Sequence, residues 1–195
     1  YRLGHTDYAH AEIEDTGATG TRFSNNSWNH RLQLTLSEMA GWHGVVGLQH
    51  SNEEFGAVGE ESFIPFTDIR TTGLFLVEDY HTPNATYEIG ARLNQDVYSP
   101  QQAVAPGRDF STASFSASVL WDISEPVTLG LALSRSQRAP SIEELYSNFG
   151  LDSIDNCVLH LATSSCETGF LDFDKETSLN ADFSVYLDYG AFSAT

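Results

Sequence analysis

Seven histidines, 27 acidic residues and two cysteines hold most of the chemical capacity of this 195-residue sequence. His30 and His50 fall near the ends of segments that alternate apolar and polar residues. His160 lies in the longest stretch without such alternation. Glu53, Glu54, Glu60, Glu61, Asp152 and Asp155 occupy stretches of the same kind. Imidazole and carboxylate groups gathered in one layer are what a zinc ion takes, commonly four of them in a tetrahedron. For any single acidic residue, a solvated surface carboxylate is the simpler reading. Cys157 and Cys166 stand nine positions apart and cannot form a four-ligand zinc knuckle alone. They read as a disulfide closing a short loop in an oxidising compartment, or as two free thiols. There is no GxSxG elbow, P-loop or HExxH pair, so no enzyme is expected and no resident cofactor.

The elements that must position these groups are strands. In Ala113-Ser114-Phe115-Ser116-Ala117-Ser118-Val119-Leu120-Trp121 the odd positions are apolar and most even ones are small or polar. Val127 to Ser134, Leu179 to Asp188 and Leu32 to Ser37 repeat the pattern. Successive side chains of a strand point to opposite faces, so these are two-sided strands. Nine are expected, near 2–14, 27–39, 43–50, 69–81, 86–96, 111–123, 127–136, 177–188 and 191–195. Ser141-Ile142-Glu143-Glu144-Leu145-Tyr146 alone reads as a short helical turn, opened by a capping box. The connections alternate in length. Tight ones lie at Gly41-Trp42, Pro83-Asn84-Ala85, Glu125-Pro126 and Tyr189-Gly190, and long ones near 15–26, 51–68, 97–110 and 137–176.

Nine Lys and Arg against 27 Asp and Glu give a net charge of −18, which excludes a phosphate backbone as partner. A composition 41% hydrophobic and 12% aromatic excludes a disordered acidic tail. No apolar run reaches the roughly 20 residues of a membrane-spanning helix. Short turns at one end and long loops at the other, joining strands that alternate apolar-out and polar-in, are the pattern of a membrane β-barrel. A soluble β-sandwich shares the alternation but need not sort its loops by end. The fold expected is therefore all-β: an antiparallel up-and-down transmembrane barrel fragment of about nine strands. Trp28, Trp42 and Trp121 near expected strand ends suit an aromatic girdle. Glu88 and Arg92 share one strand face and are expected in a lumen charge network, with Asp122 and Asp182 also pointing to the lumen. His43 and His81 lie beside tight turns, at the end opposite the long loops, and read as interface or lumen residues. His5 and His10 face opposite sides of their strand.

The segment Arg138-Ala139-Pro140-Ser141-Ile142-Glu143-Glu144-Leu145-Tyr146-Ser147-Asn148 resembles the barrel-loop motif of TonB-dependent outer-membrane receptors. His160-Leu161-Ala162-Thr163, Glu167-Thr168-Gly169 and Leu171 to Glu176 with Ser178 and Asn180 follow in the order of that family's C-terminal half. The combination is most similar to the zinc-receptor subgroup, as are Gly41 to Gln49 and Gly59 to Pro65. Tyr87 to Leu93 looks like the general family strand. One departure is Phe149 to Leu159, which adds residues, including Cys157, between the Tyr and His blocks.

The resemblance covers residues 1–195, as part of a receptor barrel without its plug domain or either chain end. It implies a 22-stranded, plugged barrel in the bacterial outer membrane. Its cargo would be zinc or a metal complex, Zn²⁺ being the transported ligand. Opening would be driven by the TonB–ExbB–ExbD complex through the plug, with outer-membrane lipids as the other partner. His160 falls in the block matching the subgroup's ligand-bearing loop and Glu60 in the block matching its acidic loop, with His50 and Glu61 as further candidates. Alternatives are a siderophore, haem or cobalamin receptor of the same fold, or a non-transporting surface β-domain.

Overall fold

The computed structural model describes residues 1–13, 17–59, 62–101, 105–150, 153–159, 165–190 and 193–194. Nine strands form one antiparallel sheet in chain order, each hydrogen-bonded to the next. They are β1 (Arg2–Ile13), β2 (Thr19–Met39), β3 (Trp42–Gly59), β4 (Thr67–Thr82), β5 (Ala85–Pro100), β6 (Arg108–Ser124), β7 (Val127–Arg138), β8 (Glu176–Asp188) and β9 (Ser193–Ala194). The expected helical turn is α1 (Ile142–Tyr146), and a 3-10 turn spans Ile154–Asn156.

Tight turns join β2 to β3, β4 to β5 and β6 to β7. At the first, Ala40 (φ 55°) and Gly41 (φ 84°) are both left-handed, as a two-residue type I′ hairpin demands. Gly41 also lies flat against Tyr80, where a Cβ would come within 2.6 Å of the ring. The opposite end carries connections 14–18, 60–66, 101–107 and 139–175.

The first of these differs from the expected long loop over 15–26. Strand β2 starts at Thr19, and β3 runs on to Gly59, beyond the expected end at 50. These extensions pair with each other, Phe23 with Ala57 and Asn25 with Phe55. Their apolar residues Phe23, Phe55 and Ala57 face inward while Arg22, Asn52 and Glu54 face outward, so the apolar-out alternation does not continue through them. Strand β2, with 21 residues, is about twice the 9–11 residues that cross a bilayer. Trp28 accordingly lies mid-strand rather than at a strand end.

Parity sorts the two faces. One face carries Leu32, Leu34 and Leu36 of β2, paired with Leu48, Val46 and Gly44 of β3. The row continues as Leu48–Leu74–Leu93 across β4 and β5, and lower down as Val119–Leu131–Phe183. These side chains are exposed, Leu34 at 59% and Phe183 at 69%. Toward the tight turns the same face carries Trp42, Tyr80 and Tyr87, with ring centroids 5.3 and 6.3 Å apart, and then Trp121. The other face bears Gln49, Arg92, Asn94, Asp96, Thr112, Ser114 and Ser134. On this second face α1, from connection 139–175, packs in one cluster with Tyr98, Phe110, Ile69 and Phe55. It is called inward below, and the apolar face outward. A soluble sheet would bury its apolar face; here the apolar face is open and α1 packs over the other face at the long-connection end, the inversion a barrel in lipid requires.

Candidate functional site

The inward face is a polar lattice at the level of the apolar belt. The Arg92 guanidinium donates to Asn94 Oδ1 at 2.8 Å and to Gln49 Oε1 at 3.4 Å. It sits 5.9 Å from the Phe75 ring, and Arg31 lies 4.2 Å over the same ring. Phe75 thus holds two cations by its π face rather than by counter-charges. Thr71 donates to Asp96 at 2.8 Å, and Asn25 to Glu53 at 2.6 Å. Glu88 and Arg92 share the inward face as expected, but no ion pair joins them, since Arg92 turns toward Asn94 and Gln49. Asp122 is inward too and accepts from Thr128.

At the long-connection end, the Arg138–Asn148 segment builds an anchor. Arg138 closes β7 and donates to both oxygens of Glu144, at 2.9 and 3.0 Å, and to Glu176 at 2.8 Å. Hydrogen bonds from Arg138, then from the Ser141 backbone, hold the Glu144 carboxyl below the usual range. Ser141 caps α1, accepting from the Glu144 amide and giving its own amide to the Glu144 carboxylate. That reciprocal pair fixes a helix of one turn, too short to persist alone. The turn drives Leu145 and Tyr146 into the sheet, both fully buried. Tyr146 donates to Pro106 O at 3.3 Å, and burial raises its phenol pKa.

Asn148, at φ 47°, is the hub of the connection. Its backbone N donates to Phe63 O at 2.6 Å, and its side-chain amide donates to Val158 O at 2.9 Å and Glu167 O at 2.8 Å. Its Oδ1 accepts from Val158 N at 3.0 Å. Gly169 passes so close to α1 that a Cβ would lie 2.4 Å from the Leu145 carbonyl carbon. Cys157 and Cys166 form a disulfide, S–S 2.01 Å, which resolves the two readings of that pair. Beside this hub opens a cleft of about 580 Å³, lined by Ala57, Phe63, Ile64, Phe66, Tyr146, Asn148 and Val158 among others.

The metal candidates are distributed unevenly. His50 is outward-facing, opposite His30 across β2–β3. Its Nδ1 lies 2.8 Å from Thr72 Oγ1 and its Nε2 3.2 Å from Asn52 Nδ2. It therefore borders the apolar belt on the side away from the cleft. Glu60, Glu61 and His160 lie outside the described residues. Among the described residues nearest to them in sequence, Phe63 and Val158 are both hydrogen-bonded to Asn148.

The family description "TonB dependent receptor-like, beta-barrel" matches residues 1–195. The chain belongs to the TonB-dependent receptor family. Among solved structures, the receptor segment is similar to "Copper transporter OprC", with a TM-score of 0.68 and 15% identity. The match covers 95% of this chain and 32% of that one, so the segment spans about a third of the length of the structure it resembles. At that identity the likeness concerns the fold. Two features of the receptor escaped the sequence reading: Gln49 and Phe75 as partners of Arg92, and Asn148 as hub. The Gln49–Arg92 contact depends on register across connection 60–66, Phe75 meets Arg92 across the tight β4–β5 hairpin, and Asn148 works through contacts between connections. No local pattern sets which of these residues meet.

Proposed function

We propose that this chain is part of an outer-membrane receptor that imports a metal ion or a small metal complex, with opening driven by the TonB–ExbB–ExbD complex. Zinc is the ion favoured by the motif resemblance, and the receptor moves its cargo without covalent chemistry. The observation that supports the reading is that Asn148 bonds both Phe63 and Val158, each two positions in sequence from a candidate donor, Glu61 and His160. Imidazole with carboxylates is a zinc-type donor set. His50 is left out of the set because it points outward. A net charge of −18 adds attraction for cations at the mouth, where Glu53 and Asp96 line the inward face. The copper transporter among similar folds supports the metal class, and donors of this kind also take Cu²⁺, more tightly than Zn²⁺.

A second reading is uptake of a siderophore, haem or cobalamin complex, favoured by the aromatic lining of the cleft, Phe63, Phe66, Tyr146 and Phe149. Equilibrium dialysis of the full-length receptor in detergent separates the two. The metal reading expects Zn²⁺ or Cu²⁺ to be retained and lost on His160→Ala, without competition from ferric siderophore, haem or cobalamin. Retention unchanged by His160→Ala, or displacement by one of those complexes, would overturn it.

A further inference from the structure

At the tight-turn rim, far from Asn148, three inward-facing side chains converge from two strands. His43 opens β3, and Asp79 and His81 lie two apart on β4, with His43 directly opposite Asp79. Asp79 Oδ2 is 2.8 Å from His81 Nε2 and 3.8 Å from His43 Nδ1. One ligand atom from each residue falls within 4.8 Å of the others. We propose that His43, Asp79 and His81 form a binding site for a divalent transition-metal ion such as Zn²⁺, at the end of the barrel opposite the long connections.

The second nitrogens of both rings support this. His81 Nδ1 is 3.0 Å from Thr86 Oγ1, and His43 Nε2 is 3.5 Å from Glu38 Oε2. When those nitrogens carry the protons, the other nitrogen of each ring is free to act as a ligand within 4.8 Å of the Asp79 carboxylate. With a cation it is the carboxylate–histidine–metal pattern in which outer partners fix the tautomer, and without one His81 Nε2–H can donate to Asp79 while Thr86 donates to Nδ1. His43 Nδ1 is the atom that shows the need. It is buried and has no hydrogen-bond partner, while the rest of its ring is half-exposed. Buried ring nitrogens are otherwise satisfied by protein or water. A tetrahedral ion at ~2.0–2.2 Å from each donor needs donor atoms roughly 3.3–3.5 Å apart. Small rotations reach this, because His81 lies at the open rim. Two imidazoles and one carboxylate leave the fourth position to water or to a donor from outside this segment, as in zinc sites that exchange ligands. The carboxylate and imidazoles suit Zn²⁺, Cu²⁺, Ni²⁺ and Co²⁺ and disfavour Ca²⁺, which takes six or more oxygens.

The site stands whatever the cargo proves to be, because it shares no residue with the extracellular hub. The test is a Co²⁺ titration of the full-length receptor in detergent, read by visible absorption and by competition with Zn²⁺. It is run in a His160→Ala background so that the extracellular candidate does not contribute. One Co²⁺ per receptor with tetrahedral-type bands is expected, lost in His43→Ala and in Asp79→Asn. Thr86→Val, which touches only the outer partner, should weaken binding roughly tenfold. If His43→Ala fails to give a heat-modifiable barrel, His81→Ala, at the exposed rim, provides the same reading. No Co²⁺ bound, or the same bands with His43 and His81 both replaced, would overturn the site. Neither result bears on whether His160→Ala abolishes uptake.

Discussion

Leu131→Arg in the full-length receptor is expected to lower barrel stability by about 2–4 kcal/mol and to deplete the heat-resistant species in outer-membrane extracts. Leu131 is in the middle of the outward row on β7, flanked in the same face by Leu129 and Leu133 and paired with Val119 and Phe183. Its side chain is exposed. In water an exposed leucine replaced by arginine would be close to neutral or stabilising; in hydrocarbon the guanidinium loses its hydration without a counter-charge. The control is three residues away on the other face. Ser134 points inward, against Ser116 and Asn180, and accepts from Asn180 at 3.3 Å. Ser134→Arg enters a polar lumen and should leave the heat-resistant fraction almost unchanged. Equal behaviour of the two variants in urea-dependent folding into lipid vesicles would contradict the assignment of faces.

Tyr146→Ala should release the connection 139–175 without unfolding the barrel. Truncating a fully buried aromatic costs about 3–5 kcal/mol where the site cannot collapse. Here the ring lies beneath a one-turn helix held by the Arg138–Glu144 pair and by Asn148. An exposed ion pair contributes ~1 kcal/mol or less, so it cannot replace the lost burial. Hydrogen exchange should therefore accelerate through α1 and the segment around Asn148, while β3 to β6 keep their protection. Tyr146→Phe removes only the bond to Pro106 O and should cost about 1 kcal/mol. Unchanged exchange in Tyr146→Ala would show that the disulfide and Asn148 suffice, and that α1 is not the anchor. The same variant bears on function, since a loosened hub would separate Phe63 from Val158.

The legible parts of the fold were those the bilayer writes into the chain. Between Leu32 and Leu36, or Val127 and Leu133, one face must satisfy lipid and the other water, so the pattern has period two and the strands are found. The tight turns are local as well, and Gly41, Pro83 and Pro126 mark them. Residues 19–26 and 51–59 were illegible as strands because the apolar-out alternation lapses there: Phe23, Phe55 and Ala57 face inward, and Arg22, Asn52 and Glu54 outward. Register across the longer connections was hidden for another reason. Whether His43 meets Asp79 depends on how many residues β3, connection 60–66 and β4 each contribute, and a shift of one would turn every side chain to the other face. The Arg138–Asn148 motif was recognised, yet its work proved to be mechanical: Glu144 and Ser141 close a capping box, and Leu145 and Tyr146 plug the sheet. His50 illustrates the converse, since its type suited a ligand while its parity turned it away from the mouth.

The central claim is that parity along a strand divides lipid from lumen. Single cysteines at positions 129 to 134 of β7, labelled with a small fluorophore in the folded receptor, test it most directly. Brominated lipid should quench the label at 129, 131 and 133, and a water-soluble quencher should reach it at 130, 132 and 134. Quenching by lipid that fails to alternate, or that favours the even positions, would contradict the barrel reading and the site assignments built on it.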